Sequence, residues 1–143
     1  MVAYMSSSAA GCRYCQAHMA NLSSVYGVSD EKLQAMWYFE ESDLFPESEK
    51  AALRLALNAG GVPNTADESH FDELKKHFSE AEIVEIVASI ALFGYLNRWN
   101  DTMATAMEDV PQKLAERAIG PAGWQVGKHA ASARQPKENE DNG

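Results

Sequence analysis

The chain has 143 residues, enough for one domain with a sizeable core and too few for two ordinary ones. Hydrophobic residues make up 45% and charged residues 23%, the profile of a globular protein rather than a disordered or fibrous one. The net charge is -9 and no lysine or arginine stripe falls on any predicted helix, which argues against nucleic acid as a partner, because phosphate needs local positive charge.

The N-terminal stretch MVAYMSSSAAG lacks both a basic start and an apolar run. It does not read as a signal peptide, and the protein is expected to be cytoplasmic. From Cys12 to Tyr26 the chain holds good helix formers and no proline, with Gly27 as a left-handed stop. Ser29 is the predicted N-cap of a second helix, which should carry Leu33, Met36, Trp37 and Phe39 toward the core. A polar link, Glu40 to Phe45, leads to Pro46 at the first position of a third helix that runs to about Asn58 and stops at Gly60-Gly61.

Phe71, Leu74 and Phe78 stand at helical spacing and predict a helix over Asp67 to Phe78. Ser79 and Glu82 then form a capping box, and the helix it opens is expected to reach about Met107. Between Ile83 and Leu96 that helix is apolar on nearly all sides, which predicts burial on more than one face. The run is interrupted by Glu85, Ser89 and Gly94 and is too short to cross a bilayer, so no membrane association is expected. A short last helix follows Pro111 and ends near Gly120-Pro121. From Lys128 onward the composition is polar, which predicts a disordered tail over 128–143 behind a domain over 1–127. No β alternation and no internal repeat occur, so the predicted fold class is all-α, a single-domain helical bundle.

The chemistry is concentrated in GCRYCQAH. A bridge between Cys12 and Cys15 closes almost no loop, so it adds little stability but can form and break easily. Both cysteines fall near a helix start, where the backbone dipole favours thiolate, and His18 lies one turn beyond Cys15 on the same side. The dipole favours Cys12 as nucleophile and His18 favours Cys15. Two other readings stand beside a redox-active dithiol. One is an inert buried pair. The other is a zinc site of Cys12, Cys15 and His18 with a fourth ligand, for which no second CxxC exists. Haem attachment is excluded because Gln16 follows Cys15. His70, His77 and His129 have no acid–base partner legible in the sequence.

Three blocks, GCRYCQAHMANLSSVYGVSDEKLQAM, FPESEKAALRLAL and FSEAEIVEIVASIALFGYLNRWND, together resemble the carboxymuconolactone decarboxylase-like superfamily, and within it the alkylhydroperoxidase D branch. The likeness runs from about Met1 to Met107. It implies an all-helical bundle assembled as a homo-trimer or homo-hexamer, needing no cofactor or metal, that reduces hydroperoxides in antioxidant defence. It implies Cys15 as the peroxidatic thiolate, Cys12 as the resolving partner and His18 as the proton relay, with an external dithiol or thioredoxin-like protein as reductant.

The chain departs from that branch in three places. The histidine follows the second cysteine by three residues rather than four, Tyr14 stands where the branch has a histidine, and the glutamate about twelve residues ahead of the first cysteine has no counterpart. Glu85 is the acid that would replace it if its helix packs on the cysteine helix; as an ordinary residue it would face solvent or an interface. Members of the family carry helices ahead of the CxxC, so the chain reads as N-terminally short. A lyase like carboxymuconolactone decarboxylase ranks lower, since that branch does not rely on CxxC. A non-enzymatic redox-sensing or metal-binding oligomer is the remaining alternative.

Overall fold

The structure is a computed structural model and describes residues 1–131. Among these, seven α-helices follow one another with no strand: α1 (Val2–Ala9), α2 (Arg13–Val25), α3 (Asp30–Gln34), α4 (Glu47–Gly60), α5 (Glu68–Leu74), α6 (Glu80–Met103) and α7 (Asp109–Ala118). The all-α expectation holds.

The least expected element is α1. Its sequence VAYMSSSA buries Tyr4, Met5, Ser6, Ser7 and Ser8, and it packs on α4, α6 and α2. Serine hydroxyls normally compete with the helix for backbone partners; Ser7 instead bonds back along the helix, its Oγ donating to the Ala3 carbonyl at 2.8 Å. Small side chains let the neighbours come close. A Cβ added at Gly60 of α4 would lie 2.8 Å from Ser6 Cα and 2.9 Å from its carbonyl oxygen. That glycine therefore serves helix packing as well as ending α4. Gly60→Ala gains about 1 kcal/mol of helix propensity, but the atoms it meets are backbone and cannot rotate away. We expect a net loss of about 1–2 kcal/mol, measured as a lower urea midpoint at unchanged m.

The predicted caps are present, and several boundaries shift. Ser29 accepts from the Lys32 amide, and Ser79 and Glu82 bond reciprocally. Asp67, read from sequence only as the start of a helix, is a further cap and accepts from the Ser69 amide. Pro46 is the cap of α4 rather than its first residue. Helix α5 stops at Leu74, short of Phe78, and α6 stops at Met103 on a left-handed Ala104, short of Met107. Helix α7 opens at Asp109 and contains Pro111 in its first turn, where the missing N–H has no helical partner to lose.

Helix α3 runs into a 3-10 turn at Ala35–Tyr38. With about three residues per turn, Leu33, Met36 and Phe39 line up inward, and Trp37, expected in the core, is 49% exposed. In α6 only Ile83, Ile90 and Asn97 are buried, a narrow line at seven-residue spacing. Val84, Leu92, Tyr95 and Trp99 are exposed, so burial on more than one face is not seen within one chain. Arg98 is exposed and in no ion pair among the described residues. No helix of the described residues is long and apolar enough to cross a membrane.

The start of the predicted tail is ordered. Gly127–His129 form a 3-10 turn, with His129 buried. The reason lies in hydrogen bonds to distant segments. Trp124 Nε1 donates to the Arg13 carbonyl at 3.1 Å, and Arg13 donates to the Gln125 carbonyl at 3.2 Å. The Met107 amide donates to the His129 carbonyl at 2.8 Å. Gly127 has a φ of +57° with the Arg13 side chain laid against it, a place where a side chain is strained. Residues 132–143 of the predicted tail lie outside the described residues.

Candidate active site

Cys12 is the N-cap of α2, and its Sγ accepts from the Cys15 amide at 3.5 Å. One turn later Cys15 places its thiol against the same sulfur, so the two side chains are hydrogen-bonded and unbridged. Both are buried. The bond to Cys15 is the largest influence on Cys12 and holds its thiol below the ordinary range, with help from the helix amide and against burial and the charge of Asp101. Cys15 is pushed up, first because its proton is committed to Cys12 and then by burial and the charge of Cys12. Asn100 of α6 points Nδ2 at Cys15 Sγ from 3.7 Å and is held by Thr105, whose hydroxyl donates to Asn100 Oδ1 at 2.9 Å. The helix start thus favours the thiolate form on Cys12 over Cys15, whereas the family resemblance places the thiolate on Cys15.

His18 sits on α2 as predicted, but neither ring nitrogen is hydrogen-bonded to a thiol. Nδ1 lies 2.9 Å from the Tyr14 carbonyl, and Nε2 lies 3.0 Å from Glu108 Oε2. The ring also stacks on Tyr14 with centroids 4.2 Å apart. The acid near His18 is thus Glu108, the residue capping α7, which the sequence did not single out. Tyr14 donates its hydroxyl to the other carboxylate oxygen of Glu108 at 2.9 Å. Burial and this bond push the Tyr14 phenol up to about 12. Glu108→Gln should bring the tyrosinate absorbance that Tyr14→Phe removes part of the way back toward the usual value of about 10.

Glu85 does not reach the dithiol. It is exposed, near Val2, Phe78 and Ile86 at the far end of α6. From Asn100, which does reach Cys15, it is about 22 Å along the helix. The surface reading of Glu85 is the one the structure supports.

A second group converges on Cys12. Asp101 of α6 faces it, with Oδ2 paired to Lys128 at 2.7 Å. His129 is held by its Nδ1 against the Thr105 carbonyl at 2.8 Å, which leaves Nε2 3.6 Å from Asp101 Oδ1. The donor atoms of Cys12, Asp101 and His129 all lie within 4.8 Å of one another. The alternative zinc set of Cys12, Cys15 and His18 is not brought together, because His18 turns its ring nitrogens to the Tyr14 carbonyl and to Glu108. His70 caps α5 through Asp67, and His77 is exposed beside Phe78. One signal for His129 was available: Trp124, a large apolar residue just ahead of a segment otherwise read as polar.

No family model matches the chain. The Escherichia coli (strain K12) protein YnjA, described as uncharacterized, is 32% identical over 88 residues, covering 59% of this chain and 48% of that protein. Two crystal structures of the debrominase Bmp8 are similar to it. The apo form is 39% identical with a TM-score of 0.75. A cysteine-to-alanine variant in complex with 2,3,4-tribromopyrrole is 38% identical with a TM-score of 0.76. Each match covers 82% of this chain and 63% of the debrominase chain. The chain thus shares the all-helical fold of that debrominase while spanning 63% of its length and about half the length of YnjA.

Proposed function

We propose that the protein is a dithiol-dependent reductase that delivers two electrons from Cys12 and Cys15 to a hydroperoxide. The observation that carries this reading is the pair of buried, unbridged thiols sharing one hydrogen bond at a helix start, with Cys12 poised as thiolate. Cys12 attacks the terminal peroxide oxygen, the O–O bond breaks, and the alcohol leaves with a proton while a sulfenic acid remains. The Cys15 thiol condenses with it, releasing water and closing the disulfide, and an external dithiol or thioredoxin-like protein resets the site. Sharing the carboxymuconolactone decarboxylase-like fold belongs to the same reading.

The debrominase neighbours favour a second substrate class, a brominated aromatic ring. The balance is equally simple: two thiols and an aryl bromide give the debrominated ring, a disulfide and hydrogen bromide. The test is to give the reduced full chain one equivalent of a hydroperoxide or of 2,3,4-tribromopyrrole. Loss of two thiols per hydroperoxide supports the first reading, and bromide release with the same thiol loss supports the second. Thiols untouched by either would sink both.

The exposed apolar face of α6 supports assembly from copies of the chain, as the resemblance implies. Trp99 and Tyr95 stand there with ring centroids 6.2 Å apart. Trp99→Glu should lower the oligomeric state seen by light scattering, because a buried carboxylate without a partner is costly. An unchanged mass would remove α6 from the interface.

A further inference from the structure

His129 is an orphan by ordinary hydrogen-bond accounting. Its side chain is 0% exposed, its Nδ1 is spent on the Thr105 carbonyl, and among the described residues Nε2 has no hydrogen-bond partner. Buried ring nitrogens are seldom left so without a reason. A proton on Nδ1, donated to Thr105, leaves a lone pair on Nε2. That nitrogen lies 3.6 Å from Asp101 Oδ1, and the donor atoms of His129, Asp101 and Cys12 all lie within 4.8 Å of one another. Beyond it Asp101 is 41% exposed, is paired with Lys128, and lines a surface groove of about 420 Å³ with Ala9, Gly60 and Arg98. A fully buried sulfur, a fully buried imidazole and a half-exposed carboxylate thus cluster within 4.8 Å of one another, the carboxylate reaching the groove.

We propose that His129 is the proton acceptor for the Cys12 thiol and that Asp101 connects it to solvent. The inference rests on Cys12 being the attacking thiolate. The Cys12 S–H proton passes to Nε2 as the thiolate forms. When the peroxide O–O bond breaks, the same proton returns from Nε2 to the departing alkoxide, so the alcohol leaves neutral and the imidazole is restored. Separations of this size in a resting site close when substrate binds. The groups facing this path are Cys15 and Tyr14 from α2, the latter with its ring centroid 5.8 Å from His129. Asp101 faces it from α6, Lys128 sits beside Asp101, and Glu108 acts through the Tyr14 hydroxyl. His18, engaged by Glu108, is a separate group.

The test reads the proton without the substrate. In reduced full-length Cys15→Ser protein, Cys12 is the single thiol and keeps a hydroxyl beside it. Its alkylation by iodoacetamide is followed from about pH 5 to about pH 9. His129→Asn in this background keeps an amide to donate to Thr105 and loses Nε2. It is expected to react about tenfold more slowly near neutral pH, with its profile moved upward, and free imidazole should restore part of the rate. Asp101→Asn separates the relay from simple repulsion. If Asp101 acts on Cys12 only through its charge, removing it moves the profile down; the relay requires it to move up.

Superimposed profiles for His129→Asn and its parent, or a downward shift for Asp101→Asn, would overturn the proposal. If His129→Asn loses its helical circular dichroism, the sign of the Asp101→Asn shift decides alone. A shifted profile in a protein that consumes no hydroperoxide would leave the relay standing and remove the proposed reaction. Hydroperoxide consumption with unshifted profiles would do the reverse.

Discussion

Cys12→Ser should abolish hydroperoxide consumption, with a rate loss on the order of a thousandfold or more, as expected when a nucleophile is removed. Cys15→Ser should still consume one equivalent and then stop. The physical reason is the asymmetry of the pair. Cys12 receives the Cys15 amide and the Cys15 thiol proton at the start of α2, which holds its thiol below the ordinary range. Cys15 holds its proton because that proton is shared with a charged neighbour. In Cys15→Ser the sulfenic acid on Cys12 has no thiol to condense with, so it should be trapped by dimedone as a single adduct. In the wild type the same treatment should leave a disulfide and no adduct. The sign with pH follows: the reaction rate of Cys12 should rise and level off at a lower pH than that of a free cysteine, near 8.5. If Cys12→Ser keeps the first equivalent and Cys15→Ser loses it, the nucleophile returns to Cys15, where the family resemblance puts it.

Trp124→Ala is the second large expected effect, a destabilisation of about 3 kcal/mol. Trp124 is 9% exposed and packs in the core. Its indole N–H ties the segment after α7 to the carbonyl of Arg13, the residue that follows Cys12. Trp124→Phe keeps most of the ring and loses that bond, which should cost about 1 kcal/mol. The two variants divide burial from hydrogen bonding. Hydrogen exchange gives a local check. The Met107 amide is bonded to the His129 carbonyl, so its protection should fall in Trp124→Ala more than that of α4 amides. Equal loss across the chain would mean that Trp124 supports the whole core rather than this segment.

The elements that were legible without a structure are those whose causes lie within about four residues. Ser29 and Ser79 cap their helices because a side-chain oxygen reaches an amide three residues on. The CxxC spacing puts Cys15 one turn above Cys12 on any helix that starts there. Such interactions need no knowledge of what packs against the helix. Helix α1 was not legible, because three consecutive serines carry no apolar period and gain their burial only from close approach to α4 and α6.

The same division runs through the candidate site. By itself the sequence determined the dithiol: two cysteines at a helix start, with His18 on the same helix. Which groups answer the dithiol was decided by tertiary structure alone. Glu108 meets His18 across the packing of α2 on α7. Asn100 and Asp101 approach the dithiol only because α6 lies against α2 with that turn facing inward. His129 comes back from a polar segment because one tryptophan and a few backbone hydrogen bonds hold it over the helix start. A helix rotated by one residue, about 100°, would have presented different side chains to the sulfurs. Local patterns are silent on that angle, since it is set by how the buried faces of separate helices fit together.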